Sequence, residues 1–127
     1  MFGSDIIRIK VKGYLRNITD NEIFEFEERG IKNKDKITFN NNDIKYYIRC
    51  NDNEIRMIRE GKDFVNTFIF NNNNSKSNYL LKENGYDMDM EVNVSNMKSN
   101  DKLIYIEYEI VSTSCKYEFK IEMSEML

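Results

Sequence analysis

This chain contains no histidine, the side chain that most often serves as base or zinc ligand, so the residues to weigh first are its carboxylates, its arginines and its two thiols. Serine and cysteine nucleophiles ordinarily need a base beside them, which excludes the common triads. Two cysteines without histidine cannot supply the usual four zinc ligands. Asn40-Asn41-Asn42-Asp43 and Asn51-Asp52-Asn53-Glu54 carry oxygen donors but lack the spacing and glycine of a calcium loop. Gly61-Lys62 has neither the upstream glycine nor the following Ser or Thr of a phosphate loop. Asp87, Asp89 and Glu91 share one strand face, as do Glu107 and Glu109, and two such rows could make an acid–base pair. Their alternation with Met88, Met90 and Val92 puts them in water instead. The expectation is therefore no catalytic residue, no metal and no cofactor.

Arg59 is the exception among the charges. In the segment 54–60, Ile55 and Met57 face inward, and a period of two carries Arg59 inward with them. Glu28 shares parity with Phe24 and Phe26. A buried charge must be paired and hydrogen-bonded. Three readings follow: a Glu28–Arg59 pair closing one barrel end, an anchor for an anionic head group at the barrel mouth, or an arginine reaching solvent at a strand end. The candidate ligand-binding set is Arg59 and Glu28, with Tyr46, Tyr108 and Tyr117 as polar handles. Cys50 and Cys115 fall on apolar strand faces and read as small buried hydrophobes, a disulfide or reactive pair being the alternative.

Strands must position these side chains. Residues 87–94 and 115–123 alternate apolar and polar side chains for a full strand length, which points one row to a core and the other to water. With these two included, strands are expected over 5–16, 22–29, 35–40, 44–50, 54–60, 62–70, 76–82, 86–95, 102–112 and 114–123. Gly13 interrupts the row of Ile7, Ile9, Val11 and Leu15, marking a bend or a close backbone approach, and Gly30 ends the second strand. Asn51-Asp52-Asn53, Asn84-Gly85 and Ser112-Thr113-Ser114 supply turn chemistry. Abundant Asn and the absence of Ala disfavour helices. The fold class is all-β: one domain spanning 1–127, a single antiparallel β-barrel of eight to ten strands.

A net charge of −3 with no basic block argues against nucleic-acid binding. The apolar runs fall far short of a membrane span. Met-Phe-Gly-Ser-Asp at the start has no charged region or apolar core of a signal peptide. The expectation is a cytoplasmic protein with reduced thiols. The bias toward Asn, Lys and Ile suggests an AT-rich bacterial genome.

Several stretches together resemble the YwiB-like family of small bacterial domains of unknown function. They are Ile9-Lys10-Val11-Lys12-Gly13, Glu54 to Lys62 with its Arg59-Glu60-Gly61, Phe68-Ile69-Phe70, Tyr79 through Gly85, and Ile106-Glu107-Tyr108-Glu109-Ile110. Phe39 to Ile44 is shorter than the family's acidic segment, and Leu80 to Asn84 replaces its usual turn. The resemblance implies a calycin-like, lipocalin-like barrel and supplies no activity.

The first functional expectation is a non-enzymatic binder of a small, partly apolar ligand at the barrel mouth. The alternative is a protein-interaction module with a filled barrel and no ligand site, using a strand edge or the outward Ile23, Ile69 and Leu80, with a homodimer as one form of it.

Overall fold

The computed structural model describes residues 6–51 and 53–126. Met1–Asp5, Asp52 of the expected turn and Leu127 lie outside the described residues. The chain forms ten strands: β1 (Ile6–Asn17), β2 (Glu22–Asn33), β3 (Lys36–Asn41), β4 (Ile44–Asn51), β5 (Glu54–Glu60), β6 (Phe64–Phe70), β7 (Ser75–Leu81), β8 (Asp87–Ser99), β9 (Leu103–Ile110) and β10 (Cys115–Glu125). Each pairs antiparallel with its neighbour in sequence, and β1 pairs with β10 to close the barrel. That is an up-and-down meander, which leaves no edge where every strand is fully paired.

The period of two does the building. Side chains opposite one another in a ladder share a face, so the register carries one inward row around the barrel. Ile9, Gly30, Phe39, Tyr46, Arg59, Asn66, Tyr79 and Met88 lie in such a row. Val11, Phe70, Ile104, Ile106 and Ile121 are the most deeply enclosed of the core. Outward rows are charged: β1 shows Arg8, Lys10, Lys12 and Arg16 to solvent. This is the reverse of the apolar outer band of a membrane barrel.

Rings fill the interior. Phe39 stacks on Tyr46 with centroids 4.7 Å apart, Phe26 lies 5.7 Å from Phe39, and Phe119 of β10 lies 6.4 Å from Tyr46 across the barrel. Phe70 and Tyr117 flank Tyr108 at 5.0 and 5.4 Å.

The hairpins define two ends. The upper end carries the β1–β2, β3–β4, β5–β6, β7–β8 and β9–β10 turns; the lower end carries the other four and the chain ends. Asn42 and Asp43 both have positive φ, 51° and 64°, as a tight two-residue hairpin turn requires.

Several boundaries differ from the sequence expectation. Gly30 does not end β2, which runs to Asn33 and pairs on both sides there. A side chain at Gly30 would meet the Thr38 carbonyl at 2.7 Å, so this glycine permits close strand approach. β8 extends to Ser99 through a register shift between Val94 and Asn96. The bulge keeps both Val94 and Met97 against the core. β6 starts at Phe64, leaving Lys62 and Asp63 in the turn. Phe24 and Met88, expected inside, are 60% and 46% exposed. Both hold the inward register, opposite Leu15 and Tyr79, but stand above the packed rings at the upper mouth.

The seam between β2 and β3 is short. Only Gly30–Asn33 of β2 pair with Phe39–Lys36, whereas β1 pairs with all of β2. β3 turns back at Asn42, so β2 from Glu22 to Arg29 has a strand on one side only.

The closing seam sets a sharp requirement at Gly13. A Cβ there would lie 2.2 Å from the Lys120 carbonyl oxygen and 2.7 Å from Ile121 Cγ2. Gly13→Ala is expected to destabilise the protein by about 1–3 kcal/mol, read as a lower urea midpoint. Gly85→Ala meets no atom within 4 Å and should lose only the roughly 1 kcal/mol of its left-handed φ. Equal losses for the two would contradict the close packing of β1 on β10.

Candidate functional site

Arg59 sits near the upper end of β5, between Tyr46 of β4 and Asn66 of β6. Its Nε donates to the Tyr46 hydroxyl at 3.2 Å, and its guanidinium lies 5.5 Å from the centre of the Tyr46 ring. Such a contact stabilises a cation against an aromatic face. Arg59 is half-buried and has no carboxylate partner among the described residues.

Tyr46 and Tyr108 lie beside it, and Tyr117 joins the group through its stack on Tyr108 at 5.4 Å. Burial pushes the Tyr108 phenol above its ordinary 10.0, Arg59 opposes that rise, and Tyr117 and Tyr46 add to it. The Tyr108 hydroxyl makes no hydrogen bond among the described residues, while no fully enclosed polar side-chain atom lacks a partner. That hydroxyl therefore still reaches solvent. Four of the five candidate residues thus come together.

Glu28 does not join them. It lies on the inward face of β2 opposite Val11 and borders a shallow cleft with Lys10, Arg29 and Met126. The register sets Gly30, not Glu28, in the row of Arg59, and the rings of Phe39 and Tyr46 fill the space between. The Glu28–Arg59 pair is not formed.

Above Arg59 the mouth is apolar. Phe64 and Tyr79 stack at 5.5 Å, and Leu15, Phe26, Ile44 and Met90 are half-buried around the rim. Beside Arg59 the wall is polar: the buried Ser77 hydroxyl donates to Asn66 Oδ1 at 3.1 Å. Asn66 was legible from its parity with Phe64, Phe68 and Phe70, and sequence reasoning passed over it.

The lower end differs. Lys32 continues the inward row of β2 and its side chain is only 16% exposed. Its Nζ donates to the Asp101 backbone carbonyl at 3.0 Å and lies 3.8 Å from Asp101 Oδ1. Lys32 thereby straps β2 to the β8–β9 turn across the barrel end. Two open clefts of about 720 and 520 Å³ flank the strap, sharing Lys32, Lys34 and Asp101. Ending β2 at Gly30 hid this lysine.

The thiols are far apart, Cys50 at the lower end of β4 and Cys115 at the upper start of β10, and both are free. Burial, with Asp35 adding and Lys32 opposing, pushes Cys50 from 9.0 to about 11. On the outer surface, Tyr14 donates to Glu118 Oε1 at 3.2 Å and Tyr105 donates to Glu118 Oε2. Tyr105 is raised above 10.0 first by that bond and then by burial; Tyr14 is raised first by burial and then by Glu118. These contacts tie β1, β10 and β9 together. No group of three or more potential metal ligands occurs among the described residues.

No protein-family model and no curated protein sequence matches the chain. Among solved structures it is similar to the ywiB protein from Bacillus subtilis, with a TM-score of 0.69 and 13% identity over 97% of this chain and 93% of that one. At that identity the likeness is one of fold. The expected barrel is present, with ten strands and full closure.

Two outcomes follow. Cys50, Tyr105 and Tyr108 hold their protons in the folded state beyond their ordinary values. The unfolded chain gives them up first, so stability is kept below about pH 9 and falls as pH rises through 9–11 and beyond. Urea midpoints across that range should decline, and a Cys50→Ser variant should decline less between pH 9 and 11. At the lower end, Lys32→Ala should destabilise by about 2 kcal/mol through its bond to a backbone carbonyl. Asp101→Asn should barely move the urea midpoint, because that carboxylate is exposed and the carbonyl remains.

Proposed function

We propose that this barrel is a non-enzymatic binder of a small, partly apolar anion seated at its upper mouth. One observation carries the reading: a half-buried Arg59 guanidinium held against Tyr46, with no carboxylate among the described residues to neutralise it. Arginine has five N–H donors, and its Nε is used on Tyr46. A partly desolvated cation with donors to spare favours an anion. The Tyr108 hydroxyl, without a hydrogen-bond partner among the described residues, offers one further donor.

Phe24, Met88 and the Phe64–Tyr79 stack would cover the apolar part of such a ligand. The rings below set its size, because Tyr46, Phe39 and Phe119 leave it a rim site. The phenols around Arg59 include Tyr108, raised in pKa and so kept protonated, which suits donation to a ligand better than proton abstraction. The up-and-down strand order supports a calycin-like, lipocalin-like placement, and the two unpaired thiols are consistent with a cytoplasmic setting. A second reading, the protein-interaction module, is favoured by Ile23, Phe24 and Ile31, all exposed on β2.

Titration with 8-anilinonaphthalene-1-sulfonate, an apolar dye with one anionic group, tests the first reading. Saturable fluorescence enhancement is expected. Arg59→Gln should weaken it by about tenfold or more with the urea midpoint retained, while the neutral N-phenyl-1-naphthylamine should bind both forms alike. Equal dye affinity in wild type and a folded Arg59→Gln variant would overturn the proposal.

A further inference from the structure

We infer that the upper half of β2, residues 22–29, is a docking edge for an extended basic segment of another polypeptide, which adds to the sheet as an extra strand. β1 pairs with β2 along its whole length, but β3 pairs only with Gly30–Asn33. From Glu22 to Arg29 every second residue therefore aims its backbone N–H and C=O away from β1, with no strand among the described residues to receive them. Such a row is a template for another strand.

Natural barrels ordinarily leave no free edge, and edges that persist are guarded by charged side chains, lysine above all, by proline or by a bulge. Between Glu22 and Glu28 there is no lysine, proline or bulge, and the charges that guard this edge are all acidic, so they repel a like edge and admit a basic one. It carries Glu22, Glu25, Glu27 and Glu28 against the lone Arg29. Only Glu27 has an ion-pair partner among the described residues, Lys10 at 3.6 Å. Glu22, Glu25 and Glu28 make no ion pair with any described residue. The edge also keeps apolar side chains on both faces, Phe24 inward and Ile23 outward, 60% and 52% exposed.

The charge chooses the occupant. A second copy pairing antiparallel on the same edge would bring two glutamate-rich rows together, and like charges across a ladder are destabilising. A segment alternating apolar residues with Lys and Arg is complementary. The chain already shows the solution on the opposite side of β2: β1 reads Arg8-Ile9-Lys10-Val11-Lys12, with Lys12 opposite Glu27. The docked segment would repeat β1's chemistry, its basic side chains toward the glutamates and its apolar ones toward Phe24 or Ile23.

A synthetic peptide of this chain's own residues 8–16 is the probe. Amide hydrogen exchange of the full-length protein, with and without peptide, should show added protection at alternate residues within 22–29 and little elsewhere. The double variant Glu22→Lys/Glu25→Lys removes two unpaired surface carboxylates, so its urea midpoint should hold while peptide protection drops by tenfold or more in affinity. Arg59→Gln should leave peptide binding unchanged, which separates this edge from the dye site. Three results would each overturn the inference: protection absent from 22–29, protection undiminished in the double variant, or peptide-independent protection there that grows with protein concentration, which would make a second copy the occupant.

Discussion

Tyr46 pressed face to face on Phe39 is the contact on which most of this molecule leans. The two rings join β3 to β4 inside the barrel, Phe26 extends the stack to β2, and Phe119 meets it from β10. Aromatic packing thus spans the interior and covers the region where the backbone ladder between β2 and β3 stops. The same Tyr46 hydroxyl accepts from Arg59, so the arginine's position is inherited from the packing beneath it. The rings also keep Glu28 and Arg59 apart, leaving each without the other's charge.

The two ends of the barrel answer the cost of an inward charge differently. At the lower end Lys32 spends its ammonium on a backbone carbonyl of the β8–β9 turn, an internal solution that holds two distant strands together. At the upper end Arg59 is met by a phenol and a ring face rather than by a carboxylate. Neutral partners hold a guanidinium in place without cancelling its charge. One end is strapped; the other keeps a guanidinium beneath an apolar rim.

Much of this was legible from alternation. The rows of β1, β4, β5, β9 and β10 could be read directly, and they gave Tyr46, Arg59, Tyr108 and Tyr117 their common interior. Parity says which face a residue takes but not its height along the barrel, which depends on register between strands. That is why Glu28 could be set beside Arg59 by parity, although Gly30 is its true counterpart in the row. It is also why Phe24 and Met88 share the inward face yet stand in solvent. Lys32 and Asn66 were missed for a simpler reason. Asn66 is a polar residue on an apolar row, and Lys32 lies beyond a glycine that reads as a strand terminus, although Gly30 admits a neighbour's backbone.

The strand order carries a consequence for how the chain acquires this shape. Nine of the ten ladders join strands adjacent in sequence, and one joins β1 to β10. The nine can form as local hairpins at little entropic expense, each with a short loop to close. The tenth must bring together residues as far apart as Ile9 and Glu125, and loop-closure entropy grows only with the logarithm of that separation. The topology therefore separates nine local pairings from a single ring-closing event. Until that event occurs, the outer edges of β1 and β10 are both unpaired. The interval before closure is when the chain is most open to pairing with a neighbour, and the tight passage at Gly13 lies on the seam that ends it.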